Sequence, residues 1–113
     1  MKKLDFNALE QPVLELTLKD EAKTVVRCAV PEEELVERLG VIAADLPAVV
    51  KDTTGQTTRQ LFAFCAELMS CNADGLTFTA EELRDKYKLK LYDLVVFVKM
   101  YLEFIKEIEG AKN

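Results

Sequence analysis

Thr24-Val25-Val26-Arg27-Cys28-Ala29-Val30-Pro31-Glu32-Glu33-Glu34-Leu35-Val36-Glu37-Arg38-Leu39 is the stretch on which the fold turns, because its apolar period changes at Pro31. Before Pro31, Val26, Cys28 and Val30 alternate with Arg27, the period of a half-buried strand. After it, Leu35, Leu39, Ile42 and Leu46 recur at spacings of four, three and four, the stripe of an amphipathic helix. Proline disfavours helical geometry at Val30 and suits a first helical position itself. Glu32, Glu33 and Glu34 then fill the first turn, where the helix dipole favours negative charge. The spacing predicts a strand over 24–30 and a helix over 32–46 that Pro47 ends or kinks, with Ala48–Val50 continuing as a short turn.

Upstream, Leu14, Leu16 and Leu18 alternate with Glu15 and Thr17, so Val13–Leu18 reads as a second strand. The polar link Lys19–Lys23 between the two predicts an antiparallel hairpin. It lacks Asn-Gly or Asp-Gly, the strongest short-turn signal. Residues 1–12 are mostly polar around Leu4, Phe6 and Leu9. They form either a loose arm or, from the alternation of Leu4 and Phe6, a short strand.

Downstream the chain is helical. Lys51–Gly55 reads as a loop, and Thr57-Thr58-Arg59-Gln60 has the capping-box form that opens a helix over 57–70. Asn72-Ala73-Asp74-Gly75 is turn chemistry. Thr79-Ala80-Glu81-Glu82 is a second capping box, opening a short helix to Tyr87, and 88–90 is a break. A long helix follows over 91–109, stopped by Gly110. The whole is an α+β chain: an N-terminal antiparallel β-hairpin followed by a bundle of three to four α-helices, in one domain over residues 1–113. That length is typical of a single domain.

Composition narrows the function. Half the residues are apolar and 31% are charged, an ordinary globular balance, and the net charge is −5. An acidic chain repels phosphate backbones unless its basic groups cluster, so no nucleic-acid partner is expected. Met1-Lys2-Lys3-Leu4-Asp5 leads into no apolar run, so no signal peptide is expected. No apolar stretch is long enough to span a membrane. Cys28, Cys65 and Cys71 are odd in number and contain no CxxC pair, which fits reduced, buried thiols in a cytoplasmic protein.

Catalytic chemistry has few carriers here. The chain has no His, so no Ser-His or Cys-His pair can form within it. Three scattered cysteines do not make a zinc site. The four glycines are too dispersed for a phosphate loop. No catalytic residue, cofactor or metal is expected. Two motifs come closer to a site. Ser70–Glu81 resembles a degenerate EF-hand loop, with Asn72 third, Asp74 fifth, Gly75 sixth and Glu81 twelfth, but Ser70 stands where the first Asp belongs. Thr79–Tyr101 resembles a helix-turn-helix with Arg84, Lys86, Lys88 and Lys90 nearby. Its second helix, Leu91-Tyr92-Asp93-Leu94-Val95-Val96-Phe97, offers almost no donors to base edges.

The strongest pattern is the long helix. Leu91, Leu94, Val98, Tyr101, Ile105 and Ile108 form an unbroken seam, widened by Val95 and Leu102 on one side and by Phe97 and Phe104 on the other. One packing seam does not cover ten such residues. The arc serves as a central core helix, or it leaves Phe97, Tyr101 and Phe104 as candidate partner-binding residues for a second subunit or a client helix.

Three stretches resemble the small tail-assembly chaperones of bacteriophages and prophages: the strand pair running into Val30–Leu39, the helix around Leu61-Phe62-Ala63-Phe64, and Leu83–Leu89 with Asp93–Val98 and Tyr101–Ile105. The likeness is one of layout and covers most of the chain. It implies a non-enzymatic role: masking apolar helix surface of a long tape-measure protein while the tail tube polymerises. It carries no catalytic residues.

Overall fold

The computed structural model describes residues 2–6, 11–51 and 54–111. It has a two-stranded antiparallel hairpin, β1 (Leu14–Thr17) and β2 (Val25–Cys28), followed by α1 (Glu33–Lys51), α2 (Gln56–Met69), a π-helical turn (Glu82–Lys86) and α3 (Leu91–Ala111). The α+β architecture expected from the period change at Pro31 is the one observed.

The hairpin pairs Leu14 with Cys28 and Thr17 with Val25. Leu18, Val26 and Cys28 are buried, with Leu14 and Leu16 packed against the core, while Glu15, Thr17 and Arg27 face out. Val30 was expected on the inner face of β2, but the strand ends at Cys28 and Val30 is exposed while Pro31 is buried. The turn is closed by Asp20, whose carboxylate accepts bonds from the Thr24 amide, at 2.8 Å, and from its hydroxyl. Lys23 in that turn adopts φ +50°, a left-handed conformation that glycine or asparagine takes more readily.

β2 gains a second neighbour from far along the chain. The Ala29 amide donates to the Cys71 carbonyl at 2.8 Å, and the Ala73 amide to the Arg27 carbonyl at 2.9 Å. The turn after α2 thus pairs with the outer edge of β2, and Cys28 bridges Asn72. Asn72 organises that turn. Its Oδ1 accepts from the amides of Asp74 and Leu76, and its Nδ2 donates to the carbonyls of Met69 and Leu76. Gly75 supplies the positive φ, +71°, that the turn requires.

α1 runs beyond the end expected at Pro47 and continues to Lys51. Proline removes one intrahelical bond and clashes with the preceding turn, at a cost of about 3 kcal/mol. Leu46 and Val49, on the same face three residues apart, are both buried, and burying each offsets about 1.5–3 kcal/mol of that cost. Of the loop expected over Lys51–Gly55, Asp52 and Thr53 lie outside the described residues, as does Leu9 of the arm. α2 does not use the Thr57–Gln60 capping box. It starts one residue earlier, after Gly55 at φ +81°, and the Thr54 hydroxyl accepts from the Gln56 amide at 3.2 Å. The box at Thr79–Glu82 does form, with reciprocal 3.2 Å bonds between each backbone amide and the other's side chain. The short helix behind it widens to π geometry, shown by the Tyr87 amide reaching the Glu82 carbonyl five residues back. Lys88, at φ +58°, then reverses the chain. α3 passes through Gly110 to Ala111.

α2 and α3 hold most of the core. Leu61, Phe62, Phe64, Cys65, Leu68 and Met69 of α2 meet Leu94, Val98, Tyr101 and Ile105 of α3, while Leu39 and Leu46 come from α1. Cys28 and Cys65 are buried as expected. Cys71 is only half-buried, because α2 has ended and the residue sits in the turn. Among the described residues, no helix is long and apolar enough to cross a membrane.

Candidate partner-binding groove

The two flanks of α3 have different surroundings. Along one, Leu94, Phe97, Val98, Tyr101 and Ile105 are buried. Tyr101 is fully enclosed, its ring edge-on to Phe97 at 5.4 Å and to Phe104 at 5.9 Å, and its hydroxyl donates to the Ala29 carbonyl. Burial pushes the Tyr101 phenol up, and the nearby Cys28 and Cys71 thiols add to it. The structure therefore places Phe97 and Tyr101 inside the protein and leaves Phe104 half-buried.

The exposed apolar residues of α3 are Tyr92, Val96 and Met100, at 76%, 40% and 48% of full exposure. They stand four residues apart, so they line one stripe of the helix, each about 6 Å from the next. That stripe faces the edge of β1. Between them lies a groove of about 360 Å³, with β1 as one wall and Met69, Leu89 and Phe97 among the other lining residues. A Lys19–Asp93 ion pair of 2.7 Å joins the two walls. Burial pushes the Asp93 carboxyl up, but the bonds from Lys19 and from the Lys90 amide outweigh it and hold the group below the usual carboxylate range.

The strand wall has open hydrogen-bonding groups. Leu18 donates to Thr24 at 2.8 Å, so the bonded pairs of this antiparallel ladder are the even-numbered residues of β1. Glu15 and Thr17 consequently turn their amides and carbonyls to the outer edge, and no described residue pairs there. An apolar floor, an apolar helical wall and a free strand edge suit an amphipathic helix or an added strand of another chain.

The alternative sites from the motifs have other occupations. Asn72 spends its side chain on the backbone of its own turn. Asp74 accepts a forked pair of bonds from Arg27, which holds its carboxyl below the ordinary range. Among the described residues no three His, Cys, Asp or Glu are grouped to hold a metal ion. In the helix-turn-helix layout, the basic residues before α3 are partly engaged: Arg84 pairs with Asp85 at 3.1 Å and the Lys86 ammonium lies 5.2 Å from the Tyr87 ring. Asp20 and Asp85 are also held low by hydrogen bonds, from Thr24 and Arg84 respectively.

Comparison of the chain with known protein families, characterised proteins and solved structures returned no match.

Proposed function

We propose that this chain is a non-enzymatic, cytoplasmic protein-interaction module that shields an apolar helical segment of a partner, in the manner implied by its resemblance to phage tail-assembly chaperones. The observation that carries the proposal is the groove between β1 and α3, with Tyr92, Val96 and Met100 exposed along one stripe. Surface residues at i, i+4 and i+8 cost solvation without helping the core, which is the mark of a surface kept for contact. A client helix laid along the groove would present apolar residues at i, i+3, i+4 and i+7 to this stripe.

The test is fluorescence anisotropy with a labelled, 20-residue amphipathic helical peptide carrying leucine at those spacings, followed by a peptide cut from a tape-measure protein. Saturable binding is expected. Tyr92→Ala and Met100→Glu should each weaken it at least tenfold, since aromatic anchors in such grooves are worth about 2 kcal/mol. Both side chains are exposed, so melting temperature should move little. Binding that fails to saturate, or that ignores both substitutions, refutes the assignment of the groove. A tape-measure gene beside the gene for this chain would support the phage-tail form of the proposal.

A further inference from the structure

We propose that two copies of this chain pair the open edges of β1 across a two-fold axis, joining both hairpins into one four-stranded sheet with the two α3 helices side by side beneath it. The proposal rests on the groove being a docking surface and names its occupant when no client is present.

The strand edge sets the register. Glu15 and Thr17 turn their amides and carbonyls outward, and β1 contains no proline, glycine or lysine of the kind that blunts an edge. Antiparallel pairing of β1 with itself about Leu16 sets Glu15 opposite Thr17 of the other copy twice over and uses every open group of both residues. An axis at Glu15 would instead place two carboxylates face to face, which destabilises a sheet. An axis at Thr17 would need Lys19 in the ladder, where the chain already bends and Asp93 holds the side chain. On the inner face the register about Leu16 puts Leu16 against Leu16 and Leu14 against Leu18. β1 is only four residues long, so the edges alone make a weak contact. α3 supplies the rest.

α3 obeys the same axis. It runs antiparallel to β1, tied at one end by the Lys19–Asp93 ion pair and at the other by the bond from Tyr101 to Ala29, which follows the Cys28 that pairs with Leu14. Val96 lies one residue from the middle of that span. An axis through Leu16 therefore brings Val96 near Val96 of the other copy and sets Tyr92 level with its Met100, so the exposed stripe covers itself. The charges agree with this alignment. Lys99 comes level with Asp93 of the other α3, and Glu103 with its Lys90, opposite signs in both cases.

The area is sufficient for a reversible dimer. At roughly 200 Å² for a fully exposed large side chain, the exposed parts of Val13, Tyr92, Val96 and Met100 leave about 400 Å² open on each copy. The pair covers about 800 Å² of such surface, to which both strand edges and the half-buried Leu14 and Leu16 add. The total reaches the roughly 1,000 Å² at which specific interfaces begin, the size class of weak contacts. One patch meets the same patch, so the assembly closes at two copies.

Sedimentation velocity of the full chain from about 1 to about 200 µM tests this. A monomer–dimer equilibrium in the micromolar range is expected. Thr17→Pro removes an outward amide and none that bonds β2, a place where a strand tolerates proline. It and Val96→Glu/Met100→Glu should each weaken dimerisation at least tenfold, with unchanged far-UV spectra. Val96→Cys should be cross-linked into a dimer by a short bis-maleimide, while Val41→Cys, equally exposed but on α1, should not. A strict monomer at all concentrations overturns the proposal. So does a dimer that Thr17→Pro leaves intact, since the strands would then not be paired, and so does a dimer that cross-links through Val41→Cys but not Val96→Cys. Dimerisation without capture of the amphipathic peptide leaves the strand pairing standing and refutes the client reading; capture by a strict monomer does the reverse.

Discussion

Replacing Tyr101 by phenylalanine removes one oxygen atom from a fully buried position and leaves the ring in place. Tyr101 has no exposed surface, and its hydroxyl donates to the Ala29 carbonyl just past the end of β2. In Tyr101→Phe the ring contacts with Phe97 and Phe104 persist, so the loss is confined to the hydrogen bond and to a carbonyl left short of a donor. Such losses run about 1–2 kcal/mol. For a chain of about this size, 1 kcal/mol moves the melting temperature by about 4 °C, so a fall of about 4–8 °C is expected. Urea unfolding followed by circular dichroism should show a lower midpoint with the same slope, because the surface exposed on unfolding is unchanged. Tyr101→Ala goes further: it empties an aromatic site and should cost about 3–5 kcal/mol. The reasoning is refuted if Tyr101→Phe costs less than about 0.3 kcal/mol, or if Tyr101→Ala impairs partner capture while leaving stability intact. The second result would mean that Tyr101 acts at a surface after all.

Other outcomes follow from particular side chains. Lys88→Gly should stabilise the protein by up to about 1 kcal/mol in urea, because Lys88 holds a left-handed φ that glycine adopts without strain. Asn72→Ala should cost about 2 kcal/mol or more in the same assay, since four hydrogen bonds of the turn after α2 depend on that one amide. A thiol reagent at neutral pH should label Cys71 before Cys28 and Cys65, which are buried; burial pushes the Cys28 thiol up to about 12 and Cys65 up as well. Equal rates at the three would contradict the burial pattern. The same shifts set an alkaline limit. Stability should be level only between about pH 5 and about pH 8.5: below that window the carboxyls of Asp20, Asp74, Asp85 and Asp93, held low in the folded state, cost stability as they take up protons, and above it unfolded thiols begin to ionise. It should then fall as pH rises towards 12, because the unfolded chain loses protons that the folded chain retains, at about 1.4 kcal/mol per pH unit for each group. Cys65→Ala should make that decline shallower, and an unchanged slope would refute the assignment.

The hairpin, the period change at Pro31 and the extent of α2 and α3 were readable because each is written in local spacing. What spacing does not carry is which neighbour covers which side of a helix. The seam of α3 correctly marks a broad apolar arc, yet the residues left in water, Tyr92, Val96 and Met100, lie outside that arc on a second stripe. Their four-residue repeat was present in the sequence as a separate signal beside the stronger one. Pro47 shows a different limit: its local cost is offset by burial of Leu46 and Val49, a tertiary effect. The two capping boxes are equally good as strings. Only Thr79–Glu82 is used, because the chain before α2 turns at Gly55, two residues ahead of Thr57. Cys71 was misplaced for the same reason: its exposure depends on α2 ending at Met69.

The ties that fix the hairpin have a consequence for the order in which the protein assembles. β1 and β2 are four residues each, and an isolated two-stranded hairpin is marginal in water. Arg27 reaches Asp74 across 47 residues of chain, and Tyr101 reaches Ala29 across 72. On the ribosome the hairpin is made first, but its partners come last. Contacts this distant close slowly, because the loop between them must be ordered before they form. The hairpin should therefore stay open, with Val26 and Cys28 in water, until α3 has left the exit tunnel. The hairpin segment is then the one in need of protection during synthesis, and the helices are the template on which it finally sets.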